Sequence, residues 1–128
     1  MTASFTVVNQ DSERASLGAD LVVVDGWVFV NGVLPVDLAR DRMPLPESVE
    51  EQTRKVLANA VTLLEQAGFT RQQIVSVRVH LADLGRFESR FNQAYRSLFV
   101  GDMCPTRSLV GVSHLPRGAL VSMDFVAR

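Results

Sequence analysis

The sequence predicts an α+β fold of one domain, in which two helices cover one face of a six-stranded mixed sheet. Three observations lead to this fold. Short runs rich in β-branched residues recur along the chain, two longer segments carry apolar residues at helical spacing, and the elements follow the order β-ββ-α-β-α-ββ without an internal repeat. A chain of 128 residues suits a single domain, and we expect its boundaries at 1–128.

The first part of the chain predicts three strands. Residues 4–8 alternate enough to form a short strand. Two nearly continuous apolar runs, Leu21–Val24 and Trp27–Val30, then flank Asp25-Gly26, which is typical of a hairpin with a type I′ turn. A loop that contains three prolines follows and leads to the first helix.

Two segments predict helices. Ser48 and Glu51 have the spacing of a capping box, apolar residues then recur every three to four positions, and Gly68 supplies the stop. The second helix is predicted from about Gly85 to Phe99, where aromatic side chains form one stripe that we assign to the core.

Three more strands complete the predicted sheet. The segment QQIVSVRVHLADL, residues 72–84, alternates, with Val75, Val77, Val79 and Leu81 facing the core and Ile74, Ser76, Arg78 and His80 on the other side. The last two strands are predicted at Thr106–Val112 and Ala119–Ala127. Two helices leave the other face of such a sheet bare, and its residues are only half apolar. Because another subunit is the simplest cover, we expect self-association.

Composition excludes several classes of function. Lysine and arginine number 13 against 14 acidic residues, without a basic block, so nucleic acid is not the expected partner. No apolar run reaches about 18 residues and the N-terminus does not resemble a signal peptide, so we expect a cytoplasmic protein without a membrane partner. The single Cys104 excludes a disulfide framework and a cysteine zinc cage. The only lysine, Lys55, is expected at the surface, which argues against Schiff-base catalysis.

Six stretches match one family in order and spacing. Together they resemble the Rid family, the YjgF-like reactive-intermediate deaminases, over roughly residues 20–127: FVNGVLP (29–35), EEQTRKVLANAVTLLEQAG (50–68), VSVRVHLADLGRF (75–87), FNQAYRSLF (91–99), PTRSLV (105–110) and LPRGALV (115–121). The resemblance implies a chorismate-mutase-like, ferredoxin-like fold that assembles as a homotrimer. The sheets would line a central barrel, and three clefts would lie between neighbouring subunits.

The resemblance also implies a reaction, the hydrolysis of enamines and 2-imino acids to keto acid and ammonia, with no metal or organic cofactor. Arg107 occupies the family position that binds the substrate carboxylate. A guanidinium suits this role because it makes two parallel charge-assisted hydrogen bonds and keeps its charge. The structural alternative is an ion pair of Arg107 across a subunit interface. Gly32, as a backbone donor or point of close approach, Asn92 and Leu109 complete the predicted substrate-binding residues.

The chain departs from the family at the predicted catalytic positions. Deaminating members commonly carry a glutamate on the last strand, and Ser122 stands there in this sequence, with Asp124 at a second acidic position. We name these two residues as the catalytic candidates, although a serine hydroxyl is a poor proton acceptor. Asp124 shares the face of Ser122 but lies about 6–7 Å further along the strand. The family tyrosine that closes the cleft is missing from SERASLGADL, residues 12–21, and Leu109 replaces a smaller residue.

We weigh three functions against these observations. The leading one is a cofactor-free hydrolase of imino acids in a cleft between subunits. The alternative is a non-catalytic trimer that binds small carboxylates for sensing or regulation, because the usual glutamate is lost. Cleavage of single-stranded RNA, attributed to some relatives, is opposed by the balanced charge and the lack of a stacking platform. For His80, Cys104 and His114 we expect structural roles.

Overall fold

The computed structural model describes residues 5–8, 18–40, 42–101 and 104–128. Its elements are β1 (Phe5–Val8), β2 (Leu21–Val24), β3 (Trp27–Val33), α1 (Val49–Gln66), β4 (Ile74–Ala82), α2 (Leu84–Leu98), β5 (Thr106–Val112) and β6 (Val121–Ala127). Short 3-10 turns occur at Arg71–Gln73 and Pro116–Gly118. The predicted extent of the domain, 1–128, stays a prediction, since residues 1–4 and 9–17 lie outside the described part.

The strands follow the order β1-β2-β3-β6-β4-β5 across the sheet. The pair β4 and β5 runs parallel, and the other described pairs run antiparallel. Apolar side chains of both helices meet Val79, Met123 and Phe125 in one buried cluster, so both helices cover the same face. The predicted α+β class, with two helices on a mixed sheet, is confirmed. The last strand begins at Val121, two residues later than predicted.

The predicted hairpin joins β2 and β3. Asp25 and Gly26 have φ values of 51° and 80°, as both central residues of a type I′ turn require. The strand β3 continues to Val33, beyond the predicted end at Val30. A register shift against β6 occurs between Val30 and Val33, where Gly32 has a φ of 63°. The chain therefore bulges at Gly32 instead of leaving the sheet as a loop.

Helix α1 has the predicted caps. The Ser48 Oγ accepts a hydrogen bond from the N–H of Glu51 at 3.1 Å, as in the first half of a capping box. At the other end the N–H of Phe69 bonds to the Leu64 carbonyl at 2.9 Å, and the N–H of Gly68 bonds to the Glu65 carbonyl at 3.0 Å. These two bonds form a Schellman motif, which needs the positive φ that Gly68 adopts.

The start of β4 corrects the predicted alternation. Val75, assigned to the core, is 43% exposed, whereas Ile74, assigned to the other side, is buried. A register shift against β6 falls between Ile74 and Ser76. Such an irregularity exchanges the two faces of a strand, and the predicted pattern holds only from Val77 onward.

We use the name open face for the side of the sheet away from the helices. Strand alternation places Trp27, Phe29 and Val110 there, and these apolar side chains are 38%, 39% and 45% exposed. The same face carries a polar group in its centre, formed by Arg78, His80, Ser122 and Asp124. The open face thus combines apolar and polar surface, as the sequence predicted. In the described part of the chain, no helix is long and apolar enough to cross a membrane.

The Schellman motif at Gly68 generates a first prediction. The substitution Gly68→Ala should lower the free energy of unfolding by about 1–2 kcal/mol, since a Cβ is unfavourable at a φ of 85°. An added Cβ meets no atom within 4 Å, so the cost comes from the backbone alone. Urea denaturation measures it. The matched control is Gly85→Ala in the first turn of α2, where no positive φ is required and stability should hold or rise.

Candidate functional site

Arg107 is the second residue of β5, at the edge of the sheet. Its register partner on β4 is Val77, whose side chain is buried in the core, so Arg107 also lies on the helix side. The Nη1 of Arg107 donates a hydrogen bond of 2.7 Å to the Oδ1 of Asn92 on α2. The Cζ of Arg107 lies 5.0 Å from the ring centroid of Tyr95 and 5.9 Å from that of Phe91. Helix α2 therefore holds the guanidinium by one hydrogen bond and two aromatic contacts.

This position explains why a strand begins with a charged residue. At the edge, the side chain does not enter the close-packed centre of the core, and Arg107 remains exposed. The aromatic rings cover its flat surface, while Asn92 fixes the orientation of its fork of N–H donors. The result is a cation held in place beside solvent, which suits the binding of an anion.

A cavity of about 320 Å³ opens beside Arg107. It is lined by Asn92, Tyr95, Arg96, Phe99, Cys104, Pro105 and Arg107. Two arginines and no carboxylate belong to these described lining residues, so the lining is positively charged. Its volume lies at the lower end of the range for small-molecule sites. A small carboxylate matches both the size and the charge.

Tyr95 is one of the residues that line this cavity. Its oxygen is buried and has no hydrogen-bond partner among the residues that the structure describes. Burial raises the pKa of Tyr95 to about 12, although the charge of Arg107 acts in the opposite direction. The phenol therefore stays protonated near neutral pH. The sequence assigns Tyr95 only to the core, and its helical spacing of three residues from Asn92 is the signal that could have found it.

The predicted catalytic residues lie on the open face. Asp124 accepts a hydrogen bond of 2.7 Å from the Gly32 N–H through its Oδ1. This bond ties the bulge of β3 to β6, and it already uses the backbone donor that the sequence assigns to the substrate. Ser122 is 5% exposed. In the register of β6 with β4, Ser122 lies opposite His80, and Asp124 lies opposite Arg78. These side chains form the polar centre of the open face.

A single chain therefore does not unite the predicted site. Arg107 and Asn92 lie on the helix side, whereas Gly32, Ser122 and Asp124 belong to the open face. Arg107 contacts Asn92, and Gly32 contacts Asp124. The first two residues lie on one side of the sheet and the last two on the other. Any site that uses both sets must take them from two subunits.

The role of Leu109 as a substrate-binding residue stays a prediction. Its register partner, Val79, is fully buried, and Leu109 packs partly buried against the same core cluster. It is not among the described residues that line the cavity at Arg107. Leu109 follows Arg107 by two residues on β5, so both side chains point to the helix side of the sheet. Leu109 lies further under the helices than Arg107 does.

The segment SERASLGADL, where the sequence lacks the family tyrosine, lies mostly outside the described residues. Within the described ranges, no cluster of three or more histidine, cysteine, aspartate or glutamate side chains could hold a metal ion.

Comparison with known proteins identifies the family. The sequence profile described as Endoribonuclease L-PSP matches residues 15–128. A RutC family protein from Pyrococcus abyssi is 34% identical over 106 residues, which cover 83% of this chain and 81% of the relative. The chain belongs to the Rid, or YjgF-like, family.

Other Rid relatives carry more specific names. A mouse protein named 2-iminobutanoate/2-iminopropanoate deaminase is 28% identical over 123 residues, covering 94% of this chain and 89% of the mouse protein. The crystal structure of YyfA from Yersinia pestis, a Rid protein of unknown function, is similar with a TM-score of 0.83 and 29% identity over 97% of this chain and 98% of that one. The structure of Escherichia coli TdcF with bound serine has a TM-score of 0.76 and 26% identity, covering 85% of each chain.

The Asn92 hydrogen bond generates a second prediction. The substitution Asn92→Ala frees the guanidinium of Arg107 to rotate. We expect the affinity of the cavity for a small carboxylate, with 2-oxobutanoate as the probe, to fall about tenfold or more, since hydrogen bonds to charged groups contribute about 1.5–3 kcal/mol. Isothermal titration calorimetry measures this change. The neighbouring exposed Gln93 supplies the control Gln93→Ala, which should bind like the wild type. Equal affinity of the Asn92 variant would show that α2 does not orient Arg107.

The unpartnered hydroxyl of Tyr95 generates a third prediction. Tyr95 is the only tyrosine, so tyrosinate absorbance reports on it alone. In the folded protein it should titrate at about 12, and in urea near the ordinary value of 10.0. The pKa of Tyr95 is higher in the folded than in the unfolded protein. The contribution of this difference to the free energy of unfolding is therefore fully present below pH 10 and is lost as the pH rises toward 12.

The variant Tyr95→Phe tests the same hydroxyl. It should lack this alkaline loss of stability, and at neutral pH it should unfold at equal or higher urea concentration than the wild type, because a buried unpaired hydroxyl is removed. Its affinity for 2-oxobutanoate should stay close to that of the wild type, because the buried hydroxyl does not reach the cavity surface. A much weaker affinity would show that the hydroxyl donates to the ligand.

Proposed function

We propose that the protein hydrolyses 2-imino acids, and the enamines in equilibrium with them, to keto acids and ammonia, in clefts between the subunits of a homotrimer. The observation that carries this proposal is the guanidinium of Arg107, held by Asn92 and two aromatic rings beside a cavity of about 320 Å³. Membership of the Rid family supports it. The name of the mouse relative and the serine bound to TdcF are consistent with small α-substituted acids as ligands.

The positive cavity accounts for the choice of substrate. A carboxylate bound to Arg107 can accept two parallel N–H bonds, and each hydrogen bond to a charged group contributes about 1.5–3 kcal/mol. A neutral imine lacks these bonds. Arg96 adds a second positive charge to the cavity lining. The cavity thus favours acids over uncharged carbonyl or imine compounds.

A second subunit would complete the site. Trp27, Phe29 and Val110 are exposed on the open face, and covering them with another copy of the chain would remove apolar surface from water. Such a contact would also bring the open face of one subunit, with Ser122 and Asp124, beside the edge strand of the next, with Arg107. The predicted binding and catalytic residues would then share one cleft. This arrangement resolves their separation within a single chain.

The reaction needs few catalytic groups. Water adds to the C2 atom of the iminium acid, the resulting carbinolamine loses ammonia, and the products are the keto acid and an ammonium ion. Arg107 holds the carboxylate, and Ser122 holds the water by its hydroxyl. Because imines already hydrolyse in water, each tenfold gain in rate requires only about 1.4 kcal/mol of transition-state stabilisation. The loss of a glutamate at position 122 therefore leaves a modest rate enhancement within reach of the remaining groups.

A non-catalytic carboxylate-binding protein is the second candidate. The observation that favours it is Ser122 itself, which supplies no carboxylate where deaminating relatives carry one. Such a protein would use the same Arg107 cavity and would gain thermal stability from keto acids or amino acids without changing imines. An assay of turnover separates the two functions.

The fourth prediction concerns turnover. An amino-acid oxidase with catalase generates a panel of 2-imino acids, semicarbazide traps them, and a deaminase lowers the yield of the trapped product. We expect wild-type protein to lower it, and Arg107→Ala to reduce kcat/KM by about 100-fold or more, because two charge-assisted bonds are lost. The control Arg54→Ala removes an exposed arginine from α1 and should keep full activity.

The outcomes discriminate between the proposals. Equal activity of wild type and Arg107→Ala would refute the assignment of the site. No activity on any imino acid, together with a higher melting temperature in the presence of keto acids, would favour the non-catalytic function. Light scattering on each variant checks that assembly is unchanged, and a monomeric wild type at micromolar concentration would refute the cleft between subunits.

A further inference from the structure

His80 lies next to Ser122 at the centre of the open face. The two are register partners on the antiparallel strands β4 and β6, so their Cβ atoms are about 4.5–5.5 Å apart. The Nδ1 of His80 is buried and has no hydrogen-bond partner among the described residues. A buried imidazole nitrogen without a partner is costly, and it lies beside a hydroxyl that can both donate and accept. The register thus places an imidazole and a hydroxyl next to each other at the centre of the open face.

The surroundings of His80 leave it as the group best positioned for proton exchange. The charged groups that face it are Arg78 on its own strand and Asp124 on β6, while its partner on β5 is Val110. Arg78 stays charged and does not exchange protons. Asp124 binds the Gly32 N–H at 2.7 Å and so has a structural role in the bulge of β3. Ser122 alone is a poor proton acceptor, and imidazole is the side chain suited to this task near neutral pH.

We propose that His80 is the proton-exchanging group of the deaminase cleft, and that Ser122 holds the attacking water next to it. This inference rests on the proposed function. As the water oxygen bonds to C2 of the iminium acid, the imidazole takes one proton from that water. The imidazolium returns the proton to the amine nitrogen of the carbinolamine. The C–N bond then breaks, ammonia leaves with the hydroxyl proton as ammonium, and the C=O bond of the keto acid forms. Atoms and charges balance without an oxidant, a metal or a further reactant.

His80 and Ser122 together would therefore do the work that a single carboxylate could do. The hydroxyl orients the water and the imidazole accepts its proton. Sequence reasoning gives His80 a structural role because a lone histidine on a half-covered strand carries no motif. Ser122 follows 42 positions later in the chain, and its pairing with His80 depends on the register of β4 and β6, which only the fold reveals.

The fifth prediction tests this role by kinetics. His80→Gln keeps a polar side chain of similar length but cannot exchange protons, and it should lower kcat about 100-fold with little change in KM, since Arg107 still binds the substrate. The other histidine, His114, is exposed and supplies the control His114→Gln, which should retain wild-type kcat. The double variant His80→Gln with Ser122→Glu introduces a carboxylate at the paired position and should regain most of the lost kcat. A purely structural role of His80 would instead lower the stability of the protein or change KM, and urea denaturation of His80→Gln checks this.

Nuclear magnetic resonance provides a readout that does not need turnover. The chain has two histidines, so the ring signals of His80 can be assigned by comparison with His114→Gln. Addition of 2-oxobutanoate should shift the His80 signals in wild-type protein and leave them unchanged in Arg107→Ala. The shift would locate His80 in the same cleft as the bound carboxylate.

Three outcomes decide the inference. A loss of kcat in His80→Gln, with rescue by Ser122→Glu and a ligand-dependent His80 signal, supports it. Full activity of His80→Gln in a protein that depends on Arg107 overturns the inference and leaves the proposed function intact. An inactive wild type refutes the proposed function and the proton transfer together. If the His80 signals also do not change when 2-oxobutanoate is added, His80 does not belong to the binding site.

Discussion

The C-terminal strand β6 joins the two halves of the sheet. It lies between β3, which belongs to the hairpin of the first half, and β4, which pairs with β5. Val121, Met123, Phe125 and Ala127 are all fully buried on its helix side. A strand fixed by partners on both edges and by a packed face has little freedom to shift its register. The positions of Ser122 and Asp124 are therefore determined as firmly as any in the molecule.

Arg107 has the opposite setting. It lies on the edge strand β5, which is held by β4 on one side only, and its orientation depends on Asn92 and the rings of α2. The candidate site thus combines a rigid half at the sheet centre with an adjustable half at the edge.

The predictable part of the fold is the part encoded by local chemistry. Asp25-Gly26 predicts the hairpin because few residues accept two positive φ values in succession, and Ser48 with Gly68 predicts both ends of α1. The irregularity between Ile74 and Ser76 could not be foreseen, because it depends on pairing with a strand at the far end of the chain. The same limit applies to the site. Arg107 is found through its motif, but its face follows from the parallel pairing of β4 with β5, and the face of Ser122 follows from the antiparallel pairing of β4 with β6. Alternation alone specifies neither pairing.

The chain has one tyrosine and one tryptophan, and their positions allow two parts of the molecule to be followed by absorbance and fluorescence. The single tyrosine, Tyr95, lines the cavity of Arg107, and the single tryptophan, Trp27, lies on the open face under the guanidinium of Arg128 at 4.8 Å. A ligand bound in the proposed site would therefore change the surroundings of Tyr95, and contact of the open face with another subunit would change those of Trp27. The two events would then give separate signals in the same unlabelled sample.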